Sequence, residues 1–168
     1  MRMLQACRSL DIETHLIVTE AAEKVANHEI CGSSQLFELA DHHYRPDDLE
    51  APIASGSFRM DAMVVIPASM KTIGALANGY MSNLVTRAAD IHLKERRPLI
   101  LVPRETPLHA VHLENMAKLS RLGAILLPAM PAFYHKPQTV EDIVDFIVGK
   151  VLDQLNVAND LYRRWGST

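Results

Sequence analysis

The residue types best suited to chemistry cluster in LKERRPLILVPRETP, Leu93–Pro107. Arg104 and Glu105 directly follow the apolar run Leu99–Val102, which Pro98 and Pro103 frame. A guanidinium can hold a phosphate through charge-assisted hydrogen bonds, and a neighbouring carboxylate can move a proton. A short continuous apolar run suits a strand covered on both faces, as in a parallel sheet. Ligands of open α/β sheets sit outside the carboxyl ends of the strands, which is where Arg104 and Glu105 would stand. That position favours a functional pair over a surface ion pair. Lys94, Arg96 and Arg97 precede the run, and Arg96 and Arg97 read as a solvated basic helix end.

Other stretches offer polar groups to the same kind of ligand. Ala62–Pro67 reads as a buried strand, and Ser69-Met70-Lys71-Thr72 leads from it into a helix over Ile73–Gly79. Backbone N–H groups and hydroxyls at a helix start can bind an anion, although many such loops carry Ser and Thr only as caps. Arg87 and Lys94 stand two turns apart on nearly one face of a helix over Asn83–Arg97, the longest in the chain. They could reach one phosphate or line a wet surface. Ser55-Gly56-Ser57 is a tight turn of small polar residues. His42 and His43 are adjacent, and a solvated pair suits them better than a metal site. His109 and His112 open a helix and take no catalytic role.

Elements must place these groups. Residues 1–10 read as the end of an amphipathic helix and His15–Thr19 as a strand. Thr19 can cap a helix over Glu20–His28. Ile30–Ala54 is irregular apart from a turn of helix at LFELA, and reads as an excursion over the surface. Leu108–Leu122 is a helix with Val111, Met116, Leu119 and Leu122 apolar, ended by Gly123. Ala124–Leu127 is a last short strand. The Pro-rich loop Pro128–Pro137 follows, and Phe133 and Tyr134 within it favour a lid. Val140–Leu155 closes the fold with Ile143, Val144, Ile147, Val151 and Leu155 inward, and it carries Lys150. Trp165 lies in a short tail, for packing or for contact with another copy. Strands alternating with helices argue for an α/β fold with a parallel sheet.

Composition bounds the partners. The chain has 168 residues, enough for one domain with a sizeable core. A net charge of −3 gives no case for nucleic acid, and 5% aromatic residues argue against a base-stacking surface. Cys7 and Cys31 stand in no metal-ligand spacing and read as reduced thiols of a cytoplasmic protein. No apolar run has the length of a membrane span, and the opening residues lack a signal-peptide core.

From about Glu13 to Trp165 the chain resembles the UbiX-type flavin prenyltransferases, also known as B subunits of phenolic acid decarboxylase systems. The pieces that carry the resemblance are SGSF at Ser55–Phe58, PASMKT at Pro67–Thr72, NLVTRAAD at Asn83–Asp90, LKERRPLILVPRETP, and PAFYHKPQ at Pro131–Gln138. The resemblance implies a flavodoxin-like (Rossmann-like) sheet that binds FMN. It implies transfer of a dimethylallyl group from dimethylallyl phosphate to reduced FMN, at N5 and then C6. The product, prenylated FMN, would serve a UbiD-type decarboxylase. It also implies a homo-oligomer, a dodecamer with sites between subunits, and no metal.

Matched position by position, Thr19, Ser69, Met70, Lys71, Thr72 and Arg104 fall on FMN-binding positions. Arg87, Lys94, Tyr134 and Lys150 fall around the dimethylallyl phosphate. Lys150 stands where the family often has arginine, a tolerable change for a point charge. Ser55 falls near the reacting edge of the flavin, Glu105 at the reacting centre, and Trp165 at an aromatic wall. The residue types fit this chemistry. Cations aimed at a leaving phosphate stabilise its growing charge without a metal. A developing allylic cation needs a dry, π-rich neighbourhood.

The family opens with a strand and a GxSGAxG loop that the 168 residues do not contain. The expectation is a sheet lacking that central strand, with two strand edges left unpaired. A late start assignment or a truncated gene would explain it, and this chain alone is expected to be unstable or inactive. Two other readings compete. A cysteine decarboxylase of the wider superfamily would carry a PxMNxxMW-like motif where this chain has PAMPAFYHKP. A non-catalytic oligomerisation or regulatory subunit of a decarboxylase system would need no phosphate loop.

Overall fold

The computed structural model describes residues 1–30 and 32–166. In chain order it holds α1 Arg2–Ser9, β1 His15–Ile17, α2 Glu20–Glu29, α3 Ser34–Leu39, β2 His42–Tyr44, a 3-10 turn Pro52–Ala54 and β3 Met63–Ala68. There follow α4 Met70–Ala77, α5 Leu84–Lys94, β4 Leu99–Pro103, α6 Ala110–Arg121, β5 Ile125–Leu126 and α7 Val140–Gln154. Cys7 is buried and free, while Cys31 lies outside the described residues.

β4 is the centre of the packing. Leu99, Ile100 and Leu101 are 0% exposed and Val102 is 1% exposed. Successive side chains leave a strand on opposite faces. Leu99 and Leu101 therefore pack with Ala68, Ile73, Leu76, Ala89 and Leu119, beneath α4, α5 and α6. Ile100 and Val102 pack with Phe146, Ile147 and Val151 of α7. Both faces are covered, which is what a continuous apolar run requires.

β3, β4 and β5 form one parallel sheet in that order, and β1 pairs in parallel with β2 in a second. Among the described residues no strand lies between β1 and β3, and each has one edge outside any ladder. The residues leading into β1 and into β3 line one open cavity of about 380 Å³.

Four helices start as their sequence dictates. Thr19, Ser69, Asn83 and Thr139 each accept a hydrogen bond from the backbone N–H three residues on. Each such cap contributes about 1 kcal/mol. α6 ends at Gly123, whose φ of +101° an L side chain rarely adopts.

The structure corrects several expectations. The stretch Ile30–Ala54 is not merely a surface excursion. It contributes β2, and Ala51, Ile53 and Ala54 are buried against Leu84. β2 escaped notice because His42 and His43 are exposed and give no apolar alternation. α5 stops at Lys94, with Arg96 at a φ of +56° and Pro98 next, so α7 is the longest helix among the described residues. Val111 and Leu122 face outward at 55% and 57% exposure, and Val144 is 39% exposed.

The tail after α7 is clamped through one carboxylate. Asp153 accepts from Arg164 Nη1 and Nη2 at 3.0 and 2.8 Å, Tyr162 Oη at 2.6 Å and Asn159 Nδ2 at 3.0 Å. The Arg164 guanidinium, helped by Tyr162 and Asn159, holds this carboxyl well below the usual range. Burial, and Asp153 beside it, push the Tyr162 hydroxyl up to about 12. A depressed carboxyl stabilises the fold above its unfolded pKa and loses that contribution as pH falls towards the folded value. Asp153→Asn should therefore lower stability by about 2 kcal/mol at neutral pH. In thermal melts the gap from the parent should narrow below about pH 4.

Candidate functional site

β3 and β4 are parallel, so the residues after them share one edge, and the cavity lined by the residues leading into both β1 and β3 sets the residues after β1 towards the same side. Thr19 follows β1 by two residues, and its Oγ1 accepts from Ala22 N at 3.2 Å. Ser69 follows β3, and its Oγ accepts from Thr72 N at 3.2 Å and lies 3.1 Å from Thr72 Oγ1. Met70 and Lys71 open the first turn of α4, where backbone N–H groups have no acceptor within the helix. Arg104 and Glu105 follow β4. Arg104 Nη1 donates to Glu29 Oε1 at 2.9 Å, both side chains being 54% exposed. Glu105 Oε1 accepts from Thr106 N at 3.1 Å. The pair at this strand end is thus Arg104–Glu29, formed with α2, and the Glu105 carboxylate is exposed. Ala129 N donates to Pro103 O at 3.0 Å, which seats the start of the Pro-rich loop beside Arg104.

A second group lies along α5 and the turn packed against it. Ser55 Oγ lies 2.8 Å from Ser57 Oγ in the turn that precedes β3. Arg87 Nε donates to Ala54 O at 3.2 Å. Lys94 Nζ reaches Glu95 Oε1 at 2.8 Å and holds that carboxyl below its usual range. A Cβ on Gly56 would lie 2.6 Å from Glu95 Oε1 and 3.1 Å from Lys94 Nζ, so the turn packs directly on the exposed ends of that ion pair. Met63 N donates to Pro98 O at 3.0 Å, which puts Lys94 and Glu95 near the amino ends of β3 and β4. Arg87, on the first turn of α5, lies instead towards the ends of β1 and β2, since Leu84 N donates to Pro46 O at 2.7 Å and Leu84 packs with Ile17 and Tyr44. β4 therefore stands between Lys94 and Arg104, a span of roughly 15 Å.

A third group gathers near the carboxyl end of the chain. Tyr134 meets Trp165 edge to face at 5.2 Å and Phe146 at 6.1 Å. Trp165 is 81% exposed and Phe133 66%. Lys150 Nζ lies 6.0 Å from the Tyr162 ring centre and 4.0 Å from Asp153 Oδ2. Two open cavities, one between α1 and α7 and one before β1 and β3, are lined by none of the predicted site residues.

Sequence reasoning missed two residues here. Arg97, read as solvated, donates to Gly56 O at 2.6 Å and Phe58 O at 2.8 Å, and so pins the Ser55 turn. Its partners are carbonyls about 40 positions away, which no local pattern reveals. His135 stacks on Phe146 at 5.2 Å, with both ring nitrogens buried and without a hydrogen-bond partner in the structure.

The carboxyl-edge group suits a flavin mononucleotide by its donor set. Hydroxyls of Ser69, Thr72 and Thr19, helix-start N–H groups and a guanidinium complement phosphate and carbonyl oxygens. Exposed Ile66 next to this edge adds apolar surface for a ring system.

Comparison with known proteins agrees with this geometry. A family model described as Flavoprotein matches residues 1–152. The flavin prenyltransferase UbiX of Methanothermobacter thermautotrophicus is 53% identical over 165 residues, 98% of this chain and 86% of that protein. The crystal structure of AnUbiX (PadA1) in complex with FMN and dimethylallyl pyrophosphate superposes with a TM-score of 0.97. It is 43% identical, over 99% of this chain and 89% of that one. A dodecameric FMN-dependent UbiX-like decarboxylase from Escherichia coli O157:H7 superposes at 0.96 with 48% identity, over 99% of this chain and 91% of that one. No helix among the described residues is long and apolar enough to cross a membrane. At such identity over nearly the whole length, the chain belongs to the UbiX-type flavin prenyltransferases, a family of flavoproteins.

Proposed function

We propose that this protein moves a dimethylallyl group from dimethylallyl phosphate to reduced FMN in a site completed by neighbouring copies of itself. The observation that carries this reading is the division of the chemistry-bearing residues between opposite edges of one chain. Arg104, Glu105 and the Ser69 loop stand at one edge, and Lys94, held against the Ser55 turn, stands towards the other. One chain leaves each set half-built and open to solvent, and a second copy can bring them together. The dodecameric relative and the relative holding FMN with dimethylallyl pyrophosphate support both parts of the proposal.

Thr19, Ser69, Met70, Lys71, Thr72 and Arg104 hold the flavin. Reduced FMN, when bound, supplies the nucleophilic ring positions. Arg87, Lys94, Tyr134 and Lys150 bind the phosphate that leaves and stabilise its charge. Trp165 walls the prenyl pocket and excludes water, with Ser55 alongside. Glu105 takes and returns a proton at the reacting edge. The product suits a UbiD-type decarboxylase acting in the same cytoplasm.

The unpaired edges of β1 and β3 support a further part of this reading, that a strand and phosphate loop of the family type complete the flavin site. The test is flavin absorbance retained on purification by the 168-residue chain and by one extended at its amino end with such a segment. The extended protein should hold about one FMN per chain, and Arg104→Ala in it should weaken retention at least roughly tenfold. Equal retention by both chains would remove the need for the added strand. Retention by neither would favour the non-catalytic subunit.

A further inference from the structure

The amino ends of β1 and β2 carry a cluster that flavin chemistry does not use. In their parallel register His15 stands opposite His42. Glu13 precedes His15 by two residues, which in an extended chain returns its side chain to the same face. His42 N donates to Thr14 O at 2.9 Å, so the pairing continues below β1. Asp41 accepts from Thr14 N and Oγ1 at 2.8 Å each, which locks the two chains together at this level. Glu13 Oε1 lies 2.9 Å from His42 Nε2 and 3.7 Å from His15 Nε2, and one ligand atom from each residue falls within 4.8 Å of the others.

We propose that Glu13, His15 and His42 bind a divalent transition cation of the Zn²⁺ class, at the end of β1 opposite Thr19. Ligands at about 2.0–2.1 Å from a tetrahedral ion lie roughly 3.4 Å from one another, close to the spacings found here. His15 is oriented for the task. Its Nδ1 meets Tyr44 Oη at 2.9 Å, which leaves Nε2 turned towards Glu13. A partner on the second ring nitrogen is the usual support of a metal-binding histidine. The His15 side chain is 8% exposed and forms the fixed wall. The His42 ring stacks on it at 4.5 Å and, at 48% exposure, is free to swing its Nε2 onto a shared ion. Two imidazoles and one carboxylate select Zn²⁺, Co²⁺ or Ni²⁺ over Ca²⁺ or Mg²⁺. Three protein ligands leave a position for water, and the 380 Å³ cavity lined by Glu13 and His15 gives it access. The ion would clip β2 to β1, a pairing of only three residues in each strand.

The test is calorimetric titration of the full chain with Zn²⁺ alone, repeated with Co²⁺ while recording visible absorbance. One Zn²⁺ per chain is expected, with intense Co²⁺ bands of a four-coordinate site and no competition from Mg²⁺. His42→Ala and Glu13→Gln should each weaken binding at least about tenfold, while His28→Ala, exposed and elsewhere on α2, should not. Glu13 is 69% exposed, so its variant tests the site without threatening the fold. No Zn²⁺ binding by the parent chain, or binding that survives both ligand variants, would overturn the proposal.

Discussion

Glu105→Gln is expected to slow prenyl transfer by about 10²–10⁴-fold, the range for losing a positioned acid–base group, while FMN stays bound. The substitution is nearly isosteric. The amide oxygen can still accept the Thr106 N–H that the carboxylate accepts at 3.1 Å, so the backbone after β4 keeps its course. Arg104 keeps its guanidinium and its contact with Glu29. What disappears is the capacity to take up a proton and give it back. The measurement is single-turnover transfer to reduced FMN under anaerobic conditions in the amino-extended protein, with flavin content recorded for parent and variant. Retained FMN with a collapsed rate is the predicted pattern. A rate within a few-fold of the parent would remove Glu105 from the chemistry. Loss of FMN together with rate would make it a binding residue.

Leu101→Ala carries the largest expected effect on stability. Leu101 is 0% exposed and pairs with Val65 on one side and Leu126 on the other. Its side chain sits in the cluster formed by Ile73, Leu76 and Leu119. Truncation removes apolar burial and leaves a cavity that three helices and two neighbouring strands can close only in part. The cost should be about 2–5 kcal/mol by denaturant unfolding. Val111→Ala, at a side chain 55% exposed, should stay within about 0.5 kcal/mol. The contrast matters because both side chains are apolar, and only burial separates them. A cost below about 1 kcal/mol for Leu101→Ala would mean that β4 does not hold the sheet together. The same strand sets the positions of Arg104 and Glu105, so its loss should abolish flavin retention as well.

Much of this was legible in the residues. The apolar run before Arg104 is a strand buried on both faces because nothing polar interrupts it. Thr19 and Ser69 cap their helices because each stands between an apolar run and a helical segment. The hidden parts were non-local. β2 is three residues of His-His-Tyr whose strand character comes from pairing with β1. His42 looked like half of a solvated pair, yet its partners are Glu13 and His15, 29 and 27 positions earlier. Lys94 and Arg104 are ten residues apart in sequence and invite placement in one pocket. The strand between them carries Arg104 to the far edge of the sheet, which supports the proposal that the site draws on more than one copy.

The most direct test of that claim is a mixed assembly. Chains carrying Glu105→Gln and chains carrying Lys94→Ala should each be inactive as homo-oligomers in their FMN-loaded form. Co-expressed at equal levels and purified together, they should regain activity. A site built from Lys94 of one copy and Glu105 of another is intact in about one quarter of random pairings. Recovery towards that fraction of parental activity is the predicted result. A mixed assembly no more active than its two parents would show that each chain serves only itself, and would contradict the account.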